Sequence, residues 1–239
     1  MKVIYFYHIP KCGGTFIDTY LRDVADILNG VYKNFNTLKS KEINIERDNW
    51  IKRSLKMTQK SGRDYIFIHH HHGFPGITEL YDQLAKMKAE LINDGHELYM
   101  FTCIRNPVDQ FVSRVNFLIN TGQDETLSIR RLLDNKTLSN NMYKYLMYNH
   151  PERYSENNDF SYELFHQTLT LFDKVFLLEN IQSIQDWINS ITKTKVEMPK
   201  KIINKSEHHI KPTLLERTEI EKINYLDVYF YNLISNGRV

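Results

Sequence analysis

The sequence predicts an α/β fold, a central parallel sheet covered by helices on both faces. Two observations carry this. Apolar runs of strand length alternate along the chain with amphipathic helical segments, the pattern of βα units. The first of these runs, "KVIYFY" (2–7), is apolar at every position after its lysine, as a strand buried on both faces must be.

The elements follow in order. Behind the first strand, "TFIDTYLRDVADIL" (15–28) repeats apolar residues at three- and four-residue intervals, at Phe16, Ile17, Tyr20, Leu21, Val24 and Leu28, with Gly30 just beyond; this is a helix. Residues 31–63 are rich in Lys, Asn and Ser and poorly patterned, so a loop with short helical pieces is expected there. "DYIFIHHHH" (64–72) is the second strand expected, and 77–94 a helix with the stripe Leu80, Leu84, Met87 and Leu91, closed by Asp94-Gly95. "ELYMFTCI" (97–104) is a third strand. Asn106 and Pro107 suit the N-cap and first position of a helix running to about Asn120. The middle, 126–172, reads as helical. "KVFLLEN" (174–180) is a fourth strand, 181–191 its helix, and Thr213 with Glu216 has the spacing of a capping box before a last helix.

The chain of 239 residues is expected to form one domain, 1–239. Thirty-one basic against 29 acidic residues give a formal charge of +2, too balanced for a nucleic-acid or membrane surface, so any anion site is local. Two cysteines, Cys12 and Cys103, make no disulfide framework. No stretch has the length of a membrane span, and the first strand is interrupted too soon for a signal peptide. A cytoplasmic location is the expectation.

In a parallel sheet ligands bind beyond the carboxyl ends of the strands. Three chemically loaded segments fall on that edge. The first is "HIPKCGGTF" (8–16). Gly13 and Gly14 allow close backbone approach to an anion, the amides of Gly14, Thr15 and Phe16 open a helix, and Lys11 and Thr15 add a charge and a hydroxyl. A plain βα turn would also use two glycines. Cys12 stands at the helix start, where a thiol can be activated, though most such cysteines fill space. The second segment is "CIRNPVDQFVSRVNFL" (103–118). Arg105 can grip a phosphate bidentately from the strand end, and Ser113, off the buried stripe of the next helix, can reach the same group. An Arg105–Asp109 surface pair is the competing reading. The third is the histidine run 69–72.

The first two segments together resemble the phosphate-binding motifs of carbohydrate-type sulfotransferases, the family whose members sulfate heparan and chondroitin. "HIPKCGGTF" is similar to that family's 5′-phosphosulfate loop and "IRNPVDQFVSRVNF" to its 3′-phosphate motif, in the same order. The resemblance implies a P-loop-like three-layer fold and 3′-phosphoadenylyl sulfate (PAPS) as sulfuryl donor. It implies that Lys11, Cys12, Gly13, Gly14, Thr15 and Phe16 hold the 5′ end, and Arg105 and Ser113 the 3′-phosphate. Lys205, in the late loop "NKSEHHIKP" (204–212), would contact the nucleotide with Asn204 and Ser206; a basic, solvated surface loop is the competing reading. Lys11 would neutralise charge on the departing phosphate oxygen.

The acceptor is expected to be a hydroxyl-bearing carbohydrate and its base a histidine. If the strand continues to residue 72, His70 and His72 share one face and His69 and His71 the other. His70 and His72 are the expected pair, with His70 as base; a one-residue slip reverses this. A small-molecule kinase and a non-catalytic metal module built on the histidines remain as alternatives, since alternate histidines on a strand can chelate zinc. Glu179, at the end of the fourth strand, is a weaker candidate for ordering substrate.

Overall fold

A computed structural model describes residues 1–37, 43–72, 80–122, 128–134, 139–147, 162–199 and 210–237; for a few of these, His72 among them, only the backbone is described. Five parallel strands form one sheet: β1 (Lys2–His8), β2 (Val31–Thr37), β3 (Tyr65–His72), β4 (Glu97–Ile104) and β5 (Lys174–Leu177), in the order β2-β3-β1-β4-β5. β1 is central, paired through Tyr5 to Ile68 and through Tyr5 to Met100. Four of the five strands lie where the apolar runs put them.

The expected loop at 31–63 is corrected by the structure: it holds β2 and a long helix, α2 (Ile43–Ser61). β2 is an edge strand with a polar residue on each face, Lys33 on the side of Phe35 and Asn34 on the side of Tyr32, so it lacks an apolar run. α2 buries Ile51 and Leu55 but also Arg47, Ser54 and Thr58, and a mixed inner face leaves little periodicity to read.

The other helices are α1 (Gly14–Ile27), α3 (Leu80–Asn93), α4 (Pro107–Asn120), α5 (Ile129–Asp134), α6 (Asn141–Met147), α7 (Tyr162–Leu169), α8 (Gln182–Thr192), α9 (Leu214–Ile223) and α10 (Tyr225–Ser235). Strand parity divides them into two outer layers. Ile4 and Phe6 of β1, Phe67 and Phe101 face Ile17, Tyr20, Leu21 and Val24 of α1 and Ile184 and Ile188 of α8. Val3, Tyr5 and Tyr7, with Ile66, Ile68 and Met100, face α2, α3, α6, α7 and α10. The caps follow the sequence. Asn106 accepts from the amides of Val108 and Asp109, and Thr213 and Glu216 form a reciprocal capping box. At the end of α1 the left-handed residue is Asn29 (φ 49°), and the Gly30 amide returns to the Ala25 carbonyl. Among the described residues no helix is long and apolar enough to cross a membrane.

Candidate functional site

All strands of a parallel sheet end on one edge, and the functional candidates gather there. Between β1 and α1 the chain turns through Lys11 (φ 67°) and Gly13 (φ 81°), the left-handed region that glycine tolerates best. Both glycines are also demanded by neighbours. A Cβ on Gly14 would lie 1.9 Å from ring atoms of His8, and one on Gly13 2.4 Å from Leu178 Cδ1, just beyond β5. The Phe16 and Ile17 amides bond the Gly13 carbonyl at 3.1 Å, so the Phe16 amide counted toward an anion is already engaged. Cys12 is fully buried, and burial pushes its thiol well above the usual range. It is a core filler whose backbone alone can serve the loop. Thr15 is exposed at the mouth.

The second segment is tied to the first. Gln110 of α4 donates through Nε2 to the Pro10 carbonyl at 3.1 Å. Glu179, in the 3₁₀ turn Leu178–Asn180 after β5, accepts from the Asn106 amide at 2.8 Å. Three cations meet across this junction. Burial, with the charges of Arg105 and Arg114, pushes Lys11 down to about 8. Lys11 Nζ lies 4.1 Å above the ring of Phe117. Among the described residues none of Lys11, Arg105 and Arg114 forms an ion pair with a carboxylate, and the Arg105–Asp109 pair is not formed. Arg114 contacts the Tyr145 hydroxyl, while its Nε is buried without a hydrogen-bond partner. Like charges gathered without an ion-pair partner cost energy unless an anion joins them. Ser113 is half-buried on α4 between the buried positions Phe111 and Val115.

The histidines divide by parity as expected, but the face that meets the loop is the other one. His69 and His71 lie on the α1 side with His8. His69 Nδ1 is 2.5 Å from Asp18 Oδ1, His69 Nε2 3.1 Å from His8 Nδ1, and His71 Nδ1 2.7 Å from His8 Nδ1. The Asp18 carboxylate also accepts from the Tyr32 hydroxyl, from Asn34 Nδ2 at 2.7 Å and from Arg22 at 2.8 Å. Burial opposes its charge, but the hydrogen bonds from His69 and Tyr32 and the nearby charges outweigh this and hold it below the usual carboxylate range. His8 is held well below the usual imidazole range by burial, then by His71, His69 and Lys11.

His70 is on the opposite face, with 0 % exposure, its Nδ1 2.5 Å from the Tyr5 hydroxyl and its ring edge-on to Tyr5, Tyr7 and Phe35. His70, expected as the base, thus lies enclosed in the core, on the face of β3 opposite His69 and His71. His72 ends β3 opposite Thr37; its side chain, the turn at 73–79, and Asn204, Lys205 and Ser206 lie outside the described residues. Among the described residues no group of three or more His, Cys, Asp or Glu is arranged to hold a metal.

Asp18, His8 and Arg114 were not singled out from the sequence. Arg114 carried a signal, a second arginine one residue past Ser113 on the phosphate-motif helix.

Comparison with known proteins bears on the fold. No family model matches the chain, and no curated protein does. A sulfotransferase from Alicyclobacillus acidocaldarius matches over 95 % of this chain and 92 % of its own, with a TM-score of 0.51 and 16 % identity. The chain has a sulfotransferase fold. A component of the PezAT toxin–antitoxin system of Streptococcus pneumoniae matches at a TM-score of 0.29 and 13 % identity over 80 % of this chain and 86 % of its own; likeness at that level carries no argument.

Proposed function

We propose that the chain is a sulfotransferase that moves a sulfuryl group from PAPS to an acceptor hydroxyl, on a carbohydrate by the resemblance of its motifs. The observation that carries the reading is the junction of Lys11, Arg105 and Arg114, three cations of which none is ion-paired to a carboxylate among the described residues, beside a glycine turn at a helix start. The orphaned Arg114 Nε fits a phosphate or sulfate oxygen. When bound, the donor supplies an activated sulfuryl group on its 5′-phosphate.

The residues then divide the work. The loop Lys11–Phe16 holds the 5′ end, the Gly14 amide lying at the N-terminus of α1. Arg105, with Ser113 and Arg114, holds the 3′-phosphate. As the acceptor oxygen bonds to sulfur and the S–O bond to phosphate breaks, the electron pair stays on the phosphate oxygen, and Lys11 neutralises it. The acceptor proton passes to a histidine. His71, half-buried on the α1 side, suits this task better than the enclosed His70. Lys205 is the expected further contact to the nucleotide.

The test is thermal stability with adenosine 3′,5′-bisphosphate, with ATP and magnesium, and with zinc. A rise with the bisphosphate that disappears in Arg105→Ala is expected. A rise only with ATP and magnesium would favour a kinase, and one only with zinc a metal module; either overturns the reading. Lys11→Ala should lower sulfuryl transfer by about 10²–10³-fold while bisphosphate affinity changes much less.

A further inference from the structure

Helix α4 meets the glycine loop along one stripe. Gln110, Arg114 and Phe117 follow each other at intervals of four and three, so they share a face of the helix. Gln110 Nε2 donates to the Pro10 carbonyl at 3.1 Å, the charge of Arg114 bears on Lys11, and the ring of Phe117 lies 4.1 Å from Lys11 Nζ. Val108, Phe111 and Val115 of the same helix are buried, whereas Phe117 is 42 % exposed. A single exposed apolar ring needs no explanation by itself. One with an ammonium on its face does.

Lys11 needs holding. Burial disfavours its charge, and Arg105, beyond β4, and Arg114, on α4, repel it. Both effects drive the ammonium toward water, and a flexible four-carbon stem lets it go. His8, at the end of β1, and Cys12, next to Lys11 in the loop, are the other titratable groups in its field. His8 is held well below the usual imidazole range and the Cys12 thiol well above its own, so neither supplies a counter-charge near pH 7. Among the described residues no carboxylate is ion-paired to Lys11. The attraction comes from the ring, whose negative face binds a cation within about 6 Å. A carboxylate in the same place would hold Lys11 harder, but it would cancel the charge and repel the donor's phosphate. A neutral ring holds the ammonium and leaves its charge for the anion.

We propose that Phe117 is a positioning residue for Lys11: its ring face seats the ammonium at the junction with Arg105 and Arg114, so that the charge is in place when the donor binds. In this role Phe117 acts through Lys11 alone, which separates it from a ring that stacks on a sugar or a nucleotide base. The inference rests on the sulfuryl-transfer reading for the task of Lys11 but not for the seat itself.

The seat is tested by NMR of the ¹³C-lysine-labelled chain without ligand, the Lys11 signal being the one missing in Lys11→Ala. Protons above a ring face are shifted upfield. The Lys11 Cε protons should therefore stand upfield of those of most other lysines, stay there in Phe117→Tyr and return to the common position in Phe117→Leu. In Phe117→Leu the Lys11 titration should also rise from about 8 toward the ordinary lysine range, because Nζ moves into water and away from the two arginines. Lys11 protons at ordinary shifts in the unaltered chain, or a titration that stays or falls in Phe117→Leu, overturn the inference. Release of bisphosphate from PAPS, with water as acceptor, should fall by about tenfold in Phe117→Leu and be kept in Phe117→Tyr, with bisphosphate affinity little changed. In the Lys11→Ala background Phe117→Leu should cost nothing more. No loss in Phe117→Leu, or an equal loss in the Lys11→Ala background, also overturns the inference, the second by assigning the ring to the acceptor or the nucleotide base. An unaltered chain that binds no bisphosphate overturns the sulfuryl-transfer reading instead, and the NMR then decides the seat by itself.

Discussion

One strand carries two opposite uses of the same residue. His69 and His71 of β3 face a carboxylate, a third imidazole and the glycine loop; His70, between them, faces Tyr5, Tyr7 and Phe35 in the core. The difference lies in the partners available on each side of the sheet. On the α1 side the neighbouring charges give imidazoles something to exchange protons with. On the other side one hydroxyl satisfies one nitrogen and aromatic rings enclose the rest, so the ring behaves as a shaped core residue.

Exchanging the two uses should break that contrast if it is wrong. The largest effect expected is at His71: His71→Gln should reduce transfer by about 10²–10⁴-fold and leave the melting temperature nearly unchanged. His70→Gln should do the reverse, lowering stability by about 1–3 kcal/mol with transfer kept within a few-fold. Steady-state rates and thermal melts on the two variants decide it, and a His70 variant that is stable but inactive would reverse the assignment.

A smaller effect sharpens the loop's side. Lys11, held at about 8 in the ligand-free site, is pushed back up by a bound phosphate. Binding therefore takes up a proton above that value, so bisphosphate affinity should be level below about pH 8 and fall by a few-fold as pH rises. Lys11→Arg, charged throughout, should abolish the slope; titration calorimetry across pH 6.5–9.5 measures it. Smallest is Gly14→Ala, whose new carbon meets the His8 ring. A loss of about 1–3 kcal/mol is expected in a denaturant melt, and no loss would mean the His8 ring does not lie on the loop.

What could be read from the sequence was what is written in neighbouring residues. The apolar runs placed β1, β3, β4 and β5, and the caps at Asn106 and Thr213 needed only a few residues each. Lys11 and Arg105 stood out because a glycine turn and a strand end are local signs. β2 and α2 escaped because their inner faces mix apolar with polar residues, Asn34 in one and Arg47, Ser54 and Thr58 in the other. Asp18 escaped for a related reason: at i to Arg22 it has the spacing of a surface pair, and its contact to His69 crosses from α1 to β3. Strand parity separated His70 from His69 and His71, but which face met α1 depended on the register of β3 against β1, Phe6 opposite His69.

The central place of β1 has a consequence for how the chain is made. β1 and its loop are translated early, yet every partner that fixes them comes later: β3 and β4 on either side, Leu178 against Gly13, and the Ile191 carbonyl that receives Lys2 at 2.8 Å. At about 5–20 residues per second, the phosphate loop waits on the order of ten seconds or more for the segment that seats it. Contacts so distant along the chain also slow folding. The earliest-made part of the site is thus among the last to take shape, and a nascent chain stalled before β5 would carry the whole glycine loop without the Leu178 side chain it leans on.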